Sequence, residues 1–344
     1  MHRCIELARL GAGSVAPNPM VGAVLVYQNR IIGEGYHMQY GKPHAEVNCI
    51  NSVKDADKHF IPQSILYVSL EPCAHFGKTP PCADLIIRYQ IKKVVIGCRD
   101  PFKQVDGKGI EKLKEAGIEV ITPVLEKECI DLNIVFFTYY TKHRPYIIIK
   151  WAQSADGKIA SSDFSRVHIS NEISNRLVHQ WRSEIMSILV GTNTALHDDP
   201  TLTTRLWKGK NPVRLVVDMD LSLPGTLKIF GTDARTIIFN AVKHEEIDNL
   251  LFYQVVESDN LIQQICHALY QLNIHSLIVE GGARLIQSFL DEGMWDEARV
   301  ITNTQLTIPN GLPAPKIPSS FHVTEQRILN DTISFIKPHT KNNT

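Results

Sequence analysis

The sequence predicts an α/β protein in two domains, and three observations carry that reading. The chain has 344 residues, more than one ordinary core needs and enough for two domains of roughly 150–200 residues each. Short apolar runs alternate with segments of helical period in both halves, the order that builds sheets covered by helices. Between the halves lies Lys142-His143-Arg144-Pro145, polar and closed by a proline, directly ahead of an apolar run. The boundary therefore falls after His143, giving domains 1–143 and 144–344.

Composition excludes several classes. Lys plus Arg and Asp plus Glu both number 36, a formal net charge of zero, so no overall basic balance points to a phosphate backbone, and no nucleic-acid partner is expected. Seven cysteines at irregular spacing argue against a disulfide framework and for a reducing, cytoplasmic setting. No run approaches the roughly 18 apolar residues that span a bilayer, so no membrane partner is expected. Cys4, Ile5, Leu7, Ala8 and Leu10 already follow a helical period, and the natural helix is expected to begin slightly ahead of Met1.

After that helix, Pro17-Asn18-Pro19-Met20-Val21-Gly22 is an extended turn. Asn18 either offers donors and acceptors to a ligand or sits in a plain helix-to-strand connection. Residues 23–27 and 31–35 form a hairpin around Gln28-Asn29-Arg30. A helix over 44–53 follows Pro43, and 65–69 is a buried strand leading into Glu71-Pro72-Cys73. Further elements are a helix over 82–89, a strand over 94–97, a Gly-containing loop to Gly109, a helix over 110–116 capped by Gly117, and a strand over 118–122. A single long helix over 126–141 closes the domain. The order predicts an α/β sandwich on a partly parallel sheet.

The chemistry of this half lies in His44-Ala45-Glu46 and in Pro72-Cys73 with Cys82. One imidazole and two thiolates fill three tetrahedral positions of zinc, and water in the fourth becomes a nucleophile near neutral pH. Glu46, not itself a ligand, can move protons between that water and a substrate. The arrangement matches, in part, the H-x-E…P-C-x-x-C pattern of zinc base deaminases. Here eight residues, not two, separate the cysteines. That gap requires a loop, stopped by Pro80-Pro81 with a helix starting near Cys82. His44 and Glu46 are two apart, about 200° around a helix, so both reach one site only at a helix start. A closed structural site with His75 as fourth ligand, or buried cysteines without metal, are the alternatives.

The second half is again α/β. Strands are expected at 146–151, 187–190, 215–217, 236–239, 276–279 and 299–301, and helices at 172–183, 261–272 and 283–290. At Val279-Glu280-Gly281-Gly282-Ala283-Arg284 a buried strand runs through two glycines into a helix, which suits either a phosphate cradle or tight strand–helix packing. No G-x-G-x-x-G follows the first strand, so an ordinary Rossmann reading has little support. Thr192-Asn193-Thr194, Asp198-Asp199-Pro200 and Thr203-Thr204-Arg205 place hydroxyls and a guanidinium on loops, either for phosphate or ribose or as turn and capping residues.

Taken together these stretches resemble the bifunctional deaminase–reductases of riboflavin biosynthesis. The resemblance rests on 17–22, on His44-Ala45-Glu46-Val47, on Glu71-Pro72-Cys73-Ala74-His75-Phe76-Gly77-Lys78-Thr79-Pro80-Pro81-Cys82, and on Asp100-Pro101 with Gly107-Lys108-Gly109. In the second half it rests on Lys150-Trp151-Ala152-Gln153-Ser154-Ala155-Asp156-Gly157-Lys158, on Asp198-Asp199-Pro200 through Arg205, and on Glu280-Gly281-Gly282. It implies a cytidine-deaminase-like α/β/α sandwich followed by a dihydrofolate-reductase-like α/β domain.

The resemblance further implies zinc held by His44, Cys73 and Cys82, with Glu46 as the proton carrier. It implies hydrolytic removal of an amine from a phosphorylated diaminopyrimidinone ribosylamine. NADPH would then reduce the ribosyl group to ribityl. NADPH contacts would fall on Gln153, His168, Thr194, Asp198 and the 282–288 turn with Gly282, Ala283 and Arg284. Substrate contacts would fall on Asn18, Ser165, Arg182, Leu202, Arg205 and Glu280. A homo-oligomer, dimer or tetramer, is expected by the same analogy. Two positions depart from the family pattern: Ser165-Arg166-Val167-His168-Ile169 lacks its Trp, and Ala283 replaces the proline after the glycine pair. An alternative is a deaminase whose second domain only binds a ligand.

Overall fold

The computed structural model describes residues 1–76, 80–162, 167–318 and 321–338. Its contacts divide the chain into two units, Met1–His143 and Arg144–Thr344.

In the first unit the elements are α1 (His2–Arg9), β1 (Gly22–Tyr27), β2 (Arg30–Tyr36), α2 (Ala45–Asn51), β3 (Ile65–Leu70), α3 (Cys82–Arg88), β4 (Lys93–Cys98), α4 (Lys108–Glu115), β5 (Glu119–Ile121), α5 (Glu126–Leu132) and α6 (Ile134–Lys142). The sheet order is β2-β1-β3-β4-β5. β1 runs antiparallel to β2 and β3, while β3, β4 and β5 are parallel. Gln28 and Asn29, at φ 47° and 62°, make the two-residue turn whose twist matches a hairpin. Leu25, Leu66, Val68, Val94 and Ile96 from the strands meet Cys49, Ile50, Ile86 and Leu113 from the helices. The carboxyl ends of parallel strands are where α/β sheets place ligands, and β3 and β4 end at Leu70 and Cys98.

Two local expectations are corrected. The helix expected over 126–141 is broken into α5 and α6 at Asn133, which lies at φ −112°, ψ 28°. Its side-chain amide is committed to the backbone of Met20, accepting from its N–H at 2.7 Å and donating to its carbonyl at 2.8 Å. His44 is not a helical residue; it is the extended N-cap of α2 (φ −72°, ψ 170°).

The second unit contains β6 (Tyr146–Gln153), β7 (Lys158–Ala160), α7 (Glu172–Glu184), β8 (Ser187–Gly191), α8 (Thr192–Asp198), β9 (Val213–Val217), β10 (Thr236–Asn240), β11 (Glu245–Ile247), β12 (Leu250–Gln254), α9 (Leu261–Gln271), β13 (Ser276–Val279), α10 (Ala283–Asp291), β14 (Glu297–Asn303), β15 (Leu312–Pro313), β16 (Phe321–Ile328) and β17 (Asp331–Pro338). Ten strands form one sheet in the order β11-β12-β10-β9-β8-β13-β6-β14-β17-β16. The run from β12 to β14 is parallel, and β11, β17 and β16 are antiparallel additions. Central strands are covered on both faces and therefore read as unbroken apolar runs, Ile147-Ile148-Ile149 and Leu277-Ile278-Val279. The edge strands show no such run: six successive residues of β16, His322 to Arg327, are exposed, which is why the sequence reading missed it. The 192–198 segment, expected as a loop, is the short helix α8. All seven cysteines are unpaired.

Candidate active sites

In the first unit the end of β3, the start of α2 and the start of α3 converge. His44 Nδ1 lies 3.6 Å from Cys73 Sγ and 3.4 Å from Cys82 Sγ. The backbone N–H of Cys82 donates to Cys73 Sγ at 3.3 Å. Potential ligand atoms of these three residues all lie within 4.8 Å of one another. The set fits a zinc ion, because soft thiolates and an imidazole at this spacing occupy three tetrahedral positions. His75, weighed above as a fourth ligand, is not part of the cluster.

The protonation pattern follows from the contacts. Hydrogen bonding from Cys82, and then from His44, brings the Cys73 thiol down to about 4 despite its burial. The same contact with Cys73, together with burial, pushes the Cys82 thiol up. Contact with Cys73 raises the His44 imidazole. Glu46, on the first turn of α2 and 3% exposed, has its carboxyl raised by burial. His44, Glu46 and Cys73 open onto a cavity of about 250 Å³ whose lining also includes Asn18, His37, His75, Asp100, Phe102 and Tyr140.

Several of these positions were not singled out from sequence. Glu71 is 4% exposed, and its carboxylate accepts four backbone N–H groups, from Asp100 (3.2 Å), Gly107 (3.0 Å), Gly109 (2.9 Å) and Ile110 (3.2 Å). It thereby fastens the loop after β4 to the strand end that carries Cys73. Gly109 is required there: a Cβ would stand 1.9 Å from the carbonyl oxygen of Pro72. Burial raises the Asp100 carboxyl to about 7. His37 holds Asn18, with Asn18 Nδ2 3.2 Å from its Nε2.

In the second unit Arg182 from α7 grips Glu280, at the end of β13, through two bonds of 2.9 and 2.6 Å. Lys150 on β6 lies 3.8 Å from the same carboxylate. Burial alone would raise Glu280, but the charges of Arg182 and Lys150 hold it down to about 2. Burial lowers Lys150. The sequence signal for Lys150 is a lone cation interrupting the apolar run 146–151. Arg182 also donates to the Thr203 carbonyl at 3.4 Å, next to Leu202, which is buried at φ 53°. Arg205 is exposed and donates to Thr201 Oγ1. Gln153 is engaged within the sheet, accepting from Trp151 Nε1 at 2.8 Å and donating to Thr302 Oγ1 at 3.2 Å.

Both readings of the glycine pair have a part. A Cβ at Gly281 would come within 2.7 Å of the Thr194 methyl, so this glycine serves close packing. Gly282 is the N-cap of α10 at φ 80°, which a side chain rarely adopts. The free N–H groups of the following turn, at Ala283 and Arg284, fit a nucleotide phosphate. His168, Asp198 and Arg284 are exposed and are not drawn into the Glu280 cluster. Ser165 lies outside the described residues.

An α/β unit with a three-ligand metal centre and a buried glutamate defines a zinc-dependent deaminase region, joined here to a second α/β unit. The family comparisons agree. Residues 1–98 match the cytidine and deoxycytidylate deaminase zinc-binding region, and residues 145–306 match the RibD C-terminal domain. A riboflavin biosynthesis protein RibD of Aquifex aeolicus is 43% identical over 302 residues, covering 86% of this chain and 83% of that protein. The Escherichia coli RibD is 32% identical over 315 residues, covering 86% and 84%. A solved deaminase/reductase from Thermotoga maritima superposes with a TM-score of 0.87 at 39% identity, covering 98% and 97%.

The chain belongs to the RibD family of riboflavin biosynthesis. It is an enzyme with a zinc-binding deaminase region and a reductase domain of the kind that uses NADPH. No described helix is long and apolar enough to cross a membrane.

Proposed function

We propose that the first unit removes an amine from a diaminohydroxyphosphoribosylaminopyrimidine and that the second reduces the resulting 5-amino-6-(5-phosphoribosylamino)uracil, the two activities named for the Thermotoga maritima relative. The observation that carries this reading is the cluster of His44, Cys73 and Cys82 beside a cavity that His44, Cys73 and Glu46 line.

His44, Cys73 and Cys82 would hold the zinc, which when bound supplies Lewis acidity that makes water a nucleophile near neutral pH. Glu46, buried beside the ligands, takes a proton from the attacking water. It returns that proton to the exocyclic nitrogen as the new C–O bond forms, the C–N bond breaks and ammonia leaves. Its burial suits the task, because a carboxylate whose proton affinity is raised above the usual range is a stronger base and takes the proton from water more readily. Asn18 at the cavity wall orients the pyrimidine.

In the second unit Glu280, Arg182, Leu202 and Arg205 would bind the substrate. Ser165 would join them, by the family analogy. Lys150 and Arg182 leave a net positive charge around Glu280, which suits a phosphorylated ligand. Gln153, His168, Thr194, Asp198 and the turn at Gly282, Ala283 and Arg284 would place NADPH, whose hydride supplies the reduction. The working form would be a homo-oligomer, dimer or tetramer, in the cytoplasm.

The replaced Trp and Pro positions keep a second reading in view, in which the reductase-like unit binds without turning over. One preparation decides between them. Metal analysis should find about one zinc per chain, and the protein should oxidise NADPH when given pre-deaminated substrate. Zinc and ammonia release without NADPH oxidation would favour the second reading.

A further inference from the structure

The deaminase cavity contains a hydrogen-bond relay whose direction is set by the atoms that face one another. His37 is 3% exposed, and its ring stands edge-on to His44 with centroids 5.4 Å apart. Its backbone N–H donates to the Val21 carbonyl at 2.9 Å, fixing it against the loop that carries Asn18. Its Nδ1 lies 3.1 Å from the Pro43 carbonyl and its Nε2 lies 3.2 Å from Asn18 Nδ2. A carbonyl only accepts, so Nδ1 carries the ring proton. The Asn18 amide turns its Nδ2 donor to Nε2, so Nε2 is the accepting nitrogen and carries a bare lone pair. Only the NH2 end of the Asn18 amide can meet it, and Asn18 Oδ1 is turned the other way.

We propose that His37 is a positioning residue: it fixes the amide of Asn18 so that the cavity offers an acceptor, selecting pyrimidines that present N–H donors. This rests on the deaminase reading of the site. The ligand chemistry follows from the direction of the relay. An aminopyrimidinone with a ring N–H and exocyclic amines supplies donors to Asn18 Oδ1. A ring that presents a lone pair at that edge would face the oxygen without a hydrogen bond. Pro43 immediately precedes the N-cap His44, so the relay also ties the amide's orientation to the segment that carries a metal ligand.

Two measurements on the zinc-loaded full chain test the idea. Long-range proton–nitrogen spectra of histidine-labelled protein, assigned with His37→Gln, should show His37 protonated at Nδ1 and bare at Nε2. A proton on Nε2 would overturn the proposal. In steady-state ammonia release, Asn18→Ala and His37→Phe should each lower kcat/KM by about tenfold, the value of one hydrogen bond. The double variant should be no worse than Asn18→Ala alone, because His37 acts through Asn18. His37→Gln, which can place an amide oxygen where Nε2 stood, should stay within about threefold of the parent protein. Zinc content should be equal throughout. Losses that multiply to about a hundredfold in the double variant, or a fully active His37→Phe, would sink the relay while leaving the deaminase reading intact. A zinc-loaded parent protein that releases no ammonia would remove that reading instead. Should His37→Phe fail to fold, the spectra and His37→Gln still decide.

Discussion

The two candidate sites handle buried charge by opposite means. In the first unit two thiols and an imidazole lie within 4.8 Å of one another, an accumulation of lone pairs that gains most from an added cation. In the second unit Glu280 is already answered by Arg182 and Lys150, and the cluster is one positive charge in surplus. The first centre is built to take a metal; on the proposed reading, the second takes an anion. The deaminase site therefore depends on something the chain does not make, whereas the charges of the second cluster answer one another within the fold.

The contrast is sharpest when each site loses one carboxylate. Glu46→Gln removes a proton carrier and no ligand. It should keep its zinc and lose about 100- to 10,000-fold in ammonia release, with NADPH oxidation on pre-deaminated substrate little changed. Loss of zinc in this variant would make Glu46 structural and erase the distinction. Glu280→Ala leaves Arg182 and Lys150 buried with no counter-charge. It should cost about 3–5 kcal/mol of stability, read as a lower denaturant midpoint for the second unit. A midpoint unchanged from the parent would show that the cluster is solvated after all.

Acid should separate the units further. Burial holds the His275 imidazole at about 4, against its ordinary 6.5. The unfolded chain takes up a proton below 6.5 that the folded chain refuses until about 4. Stability is thus fully present above 6.5 and falls as the pH drops from 6.5 towards 4, by about 1.4 kcal/mol per pH unit for this residue. Thermal unfolding across that window should show the slope, and His275→Gln should reduce it, leaving the part due to His179, which burial likewise holds at about 4.

The same contrast explains what could be read ahead of the fold. Zinc accepts few side-chain types, so His44, Cys73 and Cys82 with a nearby Glu stand out wherever they occur. The parallel core strands were legible because burial on both faces leaves unbroken apolar runs. Glu71 and Asn133 were not legible: each is an ordinary polar residue whose partners are backbone groups distant in sequence, as with the 113 positions between Asn133 and Met20; nor was His37, whose role lies in a side-chain partner 19 positions away. Gln153 shows the other side: its amide meets Trp151 and Thr302 in the sheet, contacts that the sequence around it does not announce.

The break at Asn133 carries a practical consequence for dissecting the molecule. The segment just ahead of the boundary might pass for a spacer, yet one of its side chains grips the backbone of Met20, two residues past Asn18. Anyone wishing to excise the deaminating half as a free-standing catalyst must carry the chain through α6. A cut placed upstream, at the last strand of the first sheet, would spare His44, Cys73 and Cys82 and release the 17–22 segment from the side chain that anchors it.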